Sequence, residues 1–206
     1  MKRVSMRRLS LAALVAAMLV VPTAGCGGGA GEIYETVSNG VLRAGDPVPH
    51  PANDPVLEIE GKIRTSNNDG VATNTKLSRN ESGSLVLDLE TLERLPLVRY
   101  SVEDPWLKRE VTYTGVLVSD LVRLAGPVPG ATTLHLLALD DYEVDIALAD
   151  VDRWPIMLAT QLDGQHMPVS KGGPTRIAFP YGLVGGIDEL KYKDLWIWNI
   201  ETITVR

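Results

Sequence analysis

The residues best suited to chemistry lie in one run, Asp163-Gly164-Gln165-His166-Met167-Pro168-Val169-Ser170-Lys171-Gly172-Gly173-Pro174-Thr175-Arg176. Two adjacent glycines let main-chain N–H groups approach a ligand closely, and Lys171 and Arg176 flank them with positive charge. Lys171, Gly172, Gly173 and Arg176 therefore read as an anion nest, with a tight turn carrying surface cations as the equally simple alternative. Generic catalytic signatures are missing: there is no Gly-x-Ser-x-Gly elbow, no phosphate-cradling Walker loop, no His-Glu-x-x-His and no Gly-x-Gly-x-x-Gly after a strand. His50, His135 and His166 are widely spaced, whereas zinc needs at least three convergent ligands, so they read as solvated or hydrogen-bonded side chains and no metal site is expected. Asp140, Asp141, Asp145, Asp150 and Asp152 could offer oxygen ligands to calcium, but their spacing does not match the twelve-residue calcium loop and reads as a solvated acidic face with a turn.

The N-terminus carries an address. Met1 to Arg8 is basic and Leu9 to Val21 is almost wholly apolar, too short for the roughly 20 residues that span a bilayer, which is the pattern of a secretory signal. Thr23-Ala24-Gly25-Cys26 then resembles the lipobox of bacterial lipoproteins, departing from it at Thr23, where Leu is usual. That resemblance implies lipidation of Cys26, residues 1–25 as signal peptide, and a protein exported and lipid-anchored to a bacterial membrane, on the periplasmic or outer face. Cys26 is the single cysteine, which excludes an intrachain disulfide and any cysteine-cluster metal site. Formal net charge is −6, and removal of Lys2, Arg3, Arg7 and Arg8 with the signal leaves −10. So acidic a surface repels phosphate backbones, and no nucleic-acid partner is expected.

These residues must be positioned by one domain, since 206 residues allow one domain and a tail, and 45% apolar content supports a sizeable core. Residues 26–55, with Gly27-Gly28-Gly29 and then Pro47, Pro49, Pro51 and Pro55, read as a Gly/Pro-rich tether, leaving 56–206 as the folded domain. Leu57 to Ile63 alternates at period two and predicts a strand with one face on the core. Residues 64–83 predict a long loop, and 85–87 a strand followed by a helix over 89–94 capped by Asp88 and ended by Pro96. Strands are expected over 97–102 and 108–114, and a helix capped by Ser119 and stopped by Gly126-Pro127. Strand 133–139, a turn at Asp140-Asp141 and an antiparallel strand 142–146 follow, then a helical turn from Leu148 closed by Pro155. Strands over 156–162, 175–179 and 195–205 complete an α+β domain, mostly β in mixed sheets with short helices.

Several of these segments, in order, resemble the molybdopterin-binding domain of sulfite-oxidase-type oxidoreductases. Residues 163–176 resemble its Gly-x-x-Leu-Pro…His-Gly-Gly-Pro-x-Arg region, Leu57 to Ile63 its opening strand, and Leu87-Asp88-Leu89-Glu90-Thr91-Leu92 with Leu95-Pro96 its Asp-led helix. Tyr113-Thr114-Gly115-Val116 with Asp120-Leu121-Val122 resembles its aromatic-x-Gly-Val…Asp-Leu-Leu block. Leu134 to Tyr142 resembles the strand ending in Asp-Gly-Tyr, and Trp196…Ile200-Glu201 the closing Lys-Trp-x-x-x-Ile. The resemblance implies that family's fold over about residues 56–206 and molybdopterin as the cofactor, with Trp106, Tyr142, Lys171, Gly172, Gly173 and Arg176 around it.

The departures weigh on the chemistry. The family's metal-ligating cysteine should fall near Tyr100-Ser101-Val102, where Ser101 offers a harder, weaker ligand than thiolate. Lys171 replaces the family's His, Leu195 its Lys, and Asp141 the Gly of Asp-Gly-Tyr. The expectation is thus a cofactor-free or atypical module binding a small anion or pterin-like ligand. Two alternatives stand: a molybdenum-dependent oxidoreductase with non-cysteine ligation, and a structural docking module of the cell envelope.

Overall fold

The computed structural model describes residues 33–68 and 83–206. The signal segment, Cys26 and the glycine run of the tether lie outside them. Two sheets enclose one continuous apolar core. The first has the order β1-β4-β5-β8-β10, with β9 on β8, from β1 (Glu35–Ser38), β4 (Leu97–Asp104), β5 (Arg109–Leu117), β8 (Met157–Leu162), β9 (Gln165–His166) and β10 (Arg176–Ala178). The second runs β3-β2-β11-β6-β7, from β2 (Pro55–Gly61), β3 (Leu85–Asp88), β6 (Thr133–Ala138), β7 (Glu143–Ala147) and β11 (Ile200–Val205). Among the described residues every pairing is antiparallel except β2 with β11, so the second sheet is mixed, as the sequence predicts, and the first is wholly antiparallel.

Local sequence explains most elements. In β4 the residues alternate between core and solvent, with Val98, Tyr100, Val102 and Asp104 inward and Arg99, Ser101 and Glu103 outward. Asp88 caps α1 (Leu89–Leu92) by accepting the Thr91 N–H at 2.8 Å, as its position before a Leu-rich turn predicts. Helix α2 (Val118–Ala125) buries Val118, Leu121, Leu124 and Ala125 and ends at Gly126, whose φ of 65° lets its N–H reach Val122 O. Its N-cap is Leu117 rather than the expected Ser119, because β5 runs into the helix with no turn between them and no side chain caps it.

Four further features differ from the sequence reading. The segment read as tether enters the fold: β1 pairs with β4, and Leu42 and Val48 are buried. Helix α4 (Glu189–Tyr192), after the short α3 (Leu148–Arg153), was not foreseen. The last strand starts at Ile200, since residues 193–195 form a tight helical turn and Asn199 takes φ 50°. Glu58 on β2, expected to face solvent, is buried, as is Val86 beside it. Asn67 binds both the N–H and the C=O of Val86 at 2.8 Å, so a side-chain amide stands in for a neighbouring strand at the edge of β3.

Candidate functional site

Three connections meet at one end of the sheets and enclose a cleft of about 330 Å³ lined by Trp106, Asp140, Tyr142, Asp194, Trp196, Ile197, Trp198 and Asn199. Each wall is fixed from its own element. Asp104, fully buried at the end of β4, accepts the N–H groups of Trp106 (2.7 Å) and Leu107 (2.6 Å) through Oδ1 and the Tyr113 hydroxyl (2.5 Å) through Oδ2. This folds the Asp-Pro-Trp turn back and brings the Trp106 Nε1–H to Lys193 O at 3.3 Å. Burial, with the facing Asp104 adding to it, drives the Tyr113 phenol well above the ordinary tyrosine range, so it remains a donor.

Tyr142 stands in the β6–β7 turn, where its N–H meets Asp140 Oδ1 at 3.3 Å and its hydroxyl donates to Asp194 O at 2.8 Å. Asp141, in place of the family's glycine, adopts φ 65°, so the turn keeps the left-handed shape that glycine would take freely. Trp198 is held by an isolated antiparallel bridge between its main chain and that of Arg176, and its ring stands edge-on to Trp106 with centroids 6.5 Å apart.

Behind Trp198 lies an unusual cation. Arg176 is 1% exposed, its guanidinium lies 4.3 Å from the Trp198 ring centroid and 5.6 Å from that of Tyr113, and Nε has no hydrogen-bond partner. Burial pulls its pKa down, opposed by the nearby Tyr113 and Asp104. Ring faces thus do part of the work that an anion would otherwise do.

The structure brings Trp106 and Tyr142 together in the cleft, and joins Arg176 to it through Trp198 and Gly172 through Trp198 and the N–H of Asn199. The free anion nest expected over 171–176 does not form. The Gly172 N–H is bonded to Val169 O (3.1 Å) and the Gly173 N–H to Pro168 O (3.1 Å), because the segment closes on itself as a short helical turn. The glycines serve packing instead: a Cβ on Gly173 would stand 1.9 Å from Met167 O, and Gly172, at φ 82°, faces the Trp198 ring. Lys171 is exposed and lines no part of the cleft. Asp194, Ile197, Trp198 and Asn199 are lining residues that sequence reasoning missed; the Trp-x-Trp-Asn spacing ahead of the last strand was the available signal.

Ser101 lies elsewhere. Its Oγ is 2.8 Å from Thr112 Oγ1 on the outward face of β4, in a second hollow of about 470 Å³ whose lining also includes Glu103, Asp104, Glu110, Glu189, Tyr181 and one cation, Lys108. Of the histidines, His135 pairs with Asp145 across β6 and β7 (2.8 Å), and His166 meets Glu93 at 3.0 Å. Among the described residues no group of three His, Cys, Asp or Glu side chains could hold a metal ion.

The sequence matches the family model for the oxidoreductase molybdopterin binding domain over residues 47–201. The chain belongs to that family. Among solved structures its fold is similar to the sulfane dehydrogenase SoxCD from Paracoccus pantotrophus, with a TM-score of 0.50 and 17% identity over 72% of this chain. The match covers 37% of that chain. No curated protein matches the sequence.

Family membership implies molybdopterin, and the two hollows test whether the residues present fit it. Among the described residues the hollow at Ser101 has no thiolate and sets four acidic residues, Glu103, Asp104, Glu110 and Glu189, against one lysine, the wrong balance for a phosphorylated pterin. The aromatic cleft has flat walls but also carries Asp140 and Asp194, while Arg176 is screened by Trp198. A thiolate-ligated molybdenum centre does not fit this donor set.

Proposed function

We propose that the protein is an exported, lipid-anchored ligand-binding module on the molybdopterin-binding fold, working without a thiolate-ligated metal. One observation carries the reading: Ser101, at the place the resemblance assigns to the metal-binding cysteine, faces out of β4 onto Thr112 and lines no part of the aromatic cleft. The ligand then sits among Trp106, Tyr142 and Trp198, whose rings suit a flat or apolar group, as small-molecule sites of this size generally do. A pterin-like ring would stack there. A small anion has less support, since the glycine amides are engaged and Lys171 lies outside the cleft. The anchor rests on the basic and apolar leader and on Thr23-Ala24-Gly25-Cys26.

The test is elemental analysis of the full chain after native export by a host that makes molybdopterin. Folded protein with molybdenum far below one per chain is the expected result. Near one molybdenum per chain would overturn the reading in favour of an oxidoreductase with another ligand to the metal. Cys26→Ser should move the protein from the membrane to the soluble fraction, and unchanged membrane association would remove the anchor.

A further inference from the structure

The charge of the aromatic cleft narrows what it can hold. Trp106, Tyr142 and Trp198 are 44%, 46% and 36% exposed, large rings left open on one cleft of about 330 Å³. Asp140 and Asp194 line the same space, and among the described residues no cation lies within ion-pair distance of either. The hydrogen bond from Tyr142 N–H to Asp140 Oδ1, at 3.3 Å, leaves most of that negative charge uncompensated.

Hydrogen-bonding capacity points the same way. The Trp106 Nε1–H and the Tyr142 O–H are already engaged by the carbonyls of Lys193 and Asp194, so these two walls offer ring faces. The side-chain donors left are neutral, the indole N–H of Trp198 and the amide of Asn199, while Asn199 Oδ1 is a buried acceptor without a partner. The indoles already stack with cations from outside the cleft, Lys193 at 4.5 Å from the Trp106 centroid and Arg176 at 4.3 Å from that of Trp198.

We propose that this cleft binds a small alkylammonium cation of the quaternary or methylated-amine class. The ring faces of Trp106, Tyr142 and Trp198 would surround the head group, with Asp140 and Asp194 supplying the opposite charge. A quaternary ammonium donates no classical N–H hydrogen bond and sheds its hydration readily, so ring faces backed by carboxylates suit it, whereas a phosphate or carboxylate ligand would meet both aspartates. The proposal rests on the ligand-binding reading above and names its ligand class.

The experiment titrates the full chain with choline and with its neutral analogue, in which a carbon replaces the nitrogen, following tryptophan fluorescence and heat. Choline should bind at least tenfold more tightly than the analogue. The Asp140→Asn, Asp194→Asn double variant should lose that preference while its thermal unfolding stays close to the parent's. Equal affinity for the two probes, no binding of choline, or a preference indifferent to the two aspartates overturns the proposal. Binding of a neutral pterin without binding of choline also overturns it, yet leaves the module reading standing. Stoichiometric molybdenum in the same preparation strikes at that reading instead.

Discussion

Removing the charge of Asp104 should loosen the cleft from behind. Its carboxylate receives three short hydrogen bonds, from Tyr113 O–H at 2.5 Å, Leu107 N–H at 2.6 Å and Trp106 N–H at 2.7 Å, and it is fully buried. Asp104→Asn keeps the shape and one acceptor oxygen. Bonds to a charged group contribute about 1.5–3 kcal/mol against about 1 kcal/mol for neutral ones, so three weakened bonds lose about 1.5–6 kcal/mol. The substitution also strips the charge that offsets burial of Arg176, which has no hydrogen bond at Nε. The total should reach about 4 kcal/mol, within the range for breaking a buried charge pair. Arg176→Met alone should cost less, because Asp104 keeps its three donors. If the two charges support each other through Tyr113, the double variant will be about 1–3 kcal/mol less damaging than the sum of the singles. Urea unfolding of the full chain, followed by tryptophan fluorescence, measures all four proteins, with the slope m as the check that the denatured state is unchanged. Additivity within about 0.5 kcal/mol would refute the coupling, and a loss below about 1 kcal/mol for Asp104→Asn would refute the role given to its hydrogen bonds.

Three further outcomes are expected. Gly173→Ala should lower the yield of folded protein or cost at least about 3 kcal/mol in urea unfolding, because its Cβ would meet Met167 O at 1.9 Å and that carbonyl is backbone. Glu58 is buried, with Oε1 unpartnered; burial, then Glu60 and Glu201, raises its pKa, only partly opposed by Ser84. A carboxyl whose folded pKa is raised favours the fold at low pH and weakens it as pH rises through that value. Glu58→Gln should therefore increase the melting temperature at pH 7 and lose its advantage in acid below the ordinary glutamate range, and a gain independent of pH would contradict this. Asp88 shows the opposite sign: burial would raise its pKa, but hydrogen bonds from Thr91, Asn53 and Ala52 outweigh it and hold the carboxyl at about 2. Its contribution of about 2 kcal/mol is present above the unfolded value of about 3.9 and lost as pH falls towards 2. In Asp88→Asn, the acid-induced loss of stability over that window should shrink by about that amount in calorimetry.

What the sequence could and could not disclose follows from how each feature is encoded. The Asp88 cap and the β6–β7 pair rest on local signals, a capping residue before an apolar turn and two alternating runs about a two-aspartate turn, and both form. Strand β1 carries no such signal because all four of its residues are exposed, and it joins the sheet through its backbone at the edge of β4. The run from 195 to 205 reads as one apolar strand, yet the bridge from Trp198 to Arg176 and the φ of Asn199 break it, and the break is what turns Trp198 into the cleft. Composition identified Lys171, Gly172, Gly173 and Arg176 as a possible donor set, but whether an amide is free depends on the turn it closes, which residue types do not determine.

The same geometry supports the proposed reading, in which the cleft stands without a metal ligand at Ser101. Trp106 is held by Asp104, Tyr142 by Asp140 and the Asp194 carbonyl, and Trp198 by its bridge to Arg176. None of these bonds involves Ser101, whose side chain lies on the outward face of β4 with Thr112. A substitution of thiol by hydroxyl at 101 therefore removes no support from the walls. On the proposed reading no cofactor phosphate has to be held, so positive charge at the cleft would confer no advantage, and aspartates at 140 and 194 would meet no opposition. On this argument the aromatic walls and the acidic lining are separable from the redox chemistry of the family, and restoring cysteine at 101 alone should give a folded protein whose choline preference is unchanged. Loss of that preference in Ser101→Cys would mean that the two hollows are coupled after all.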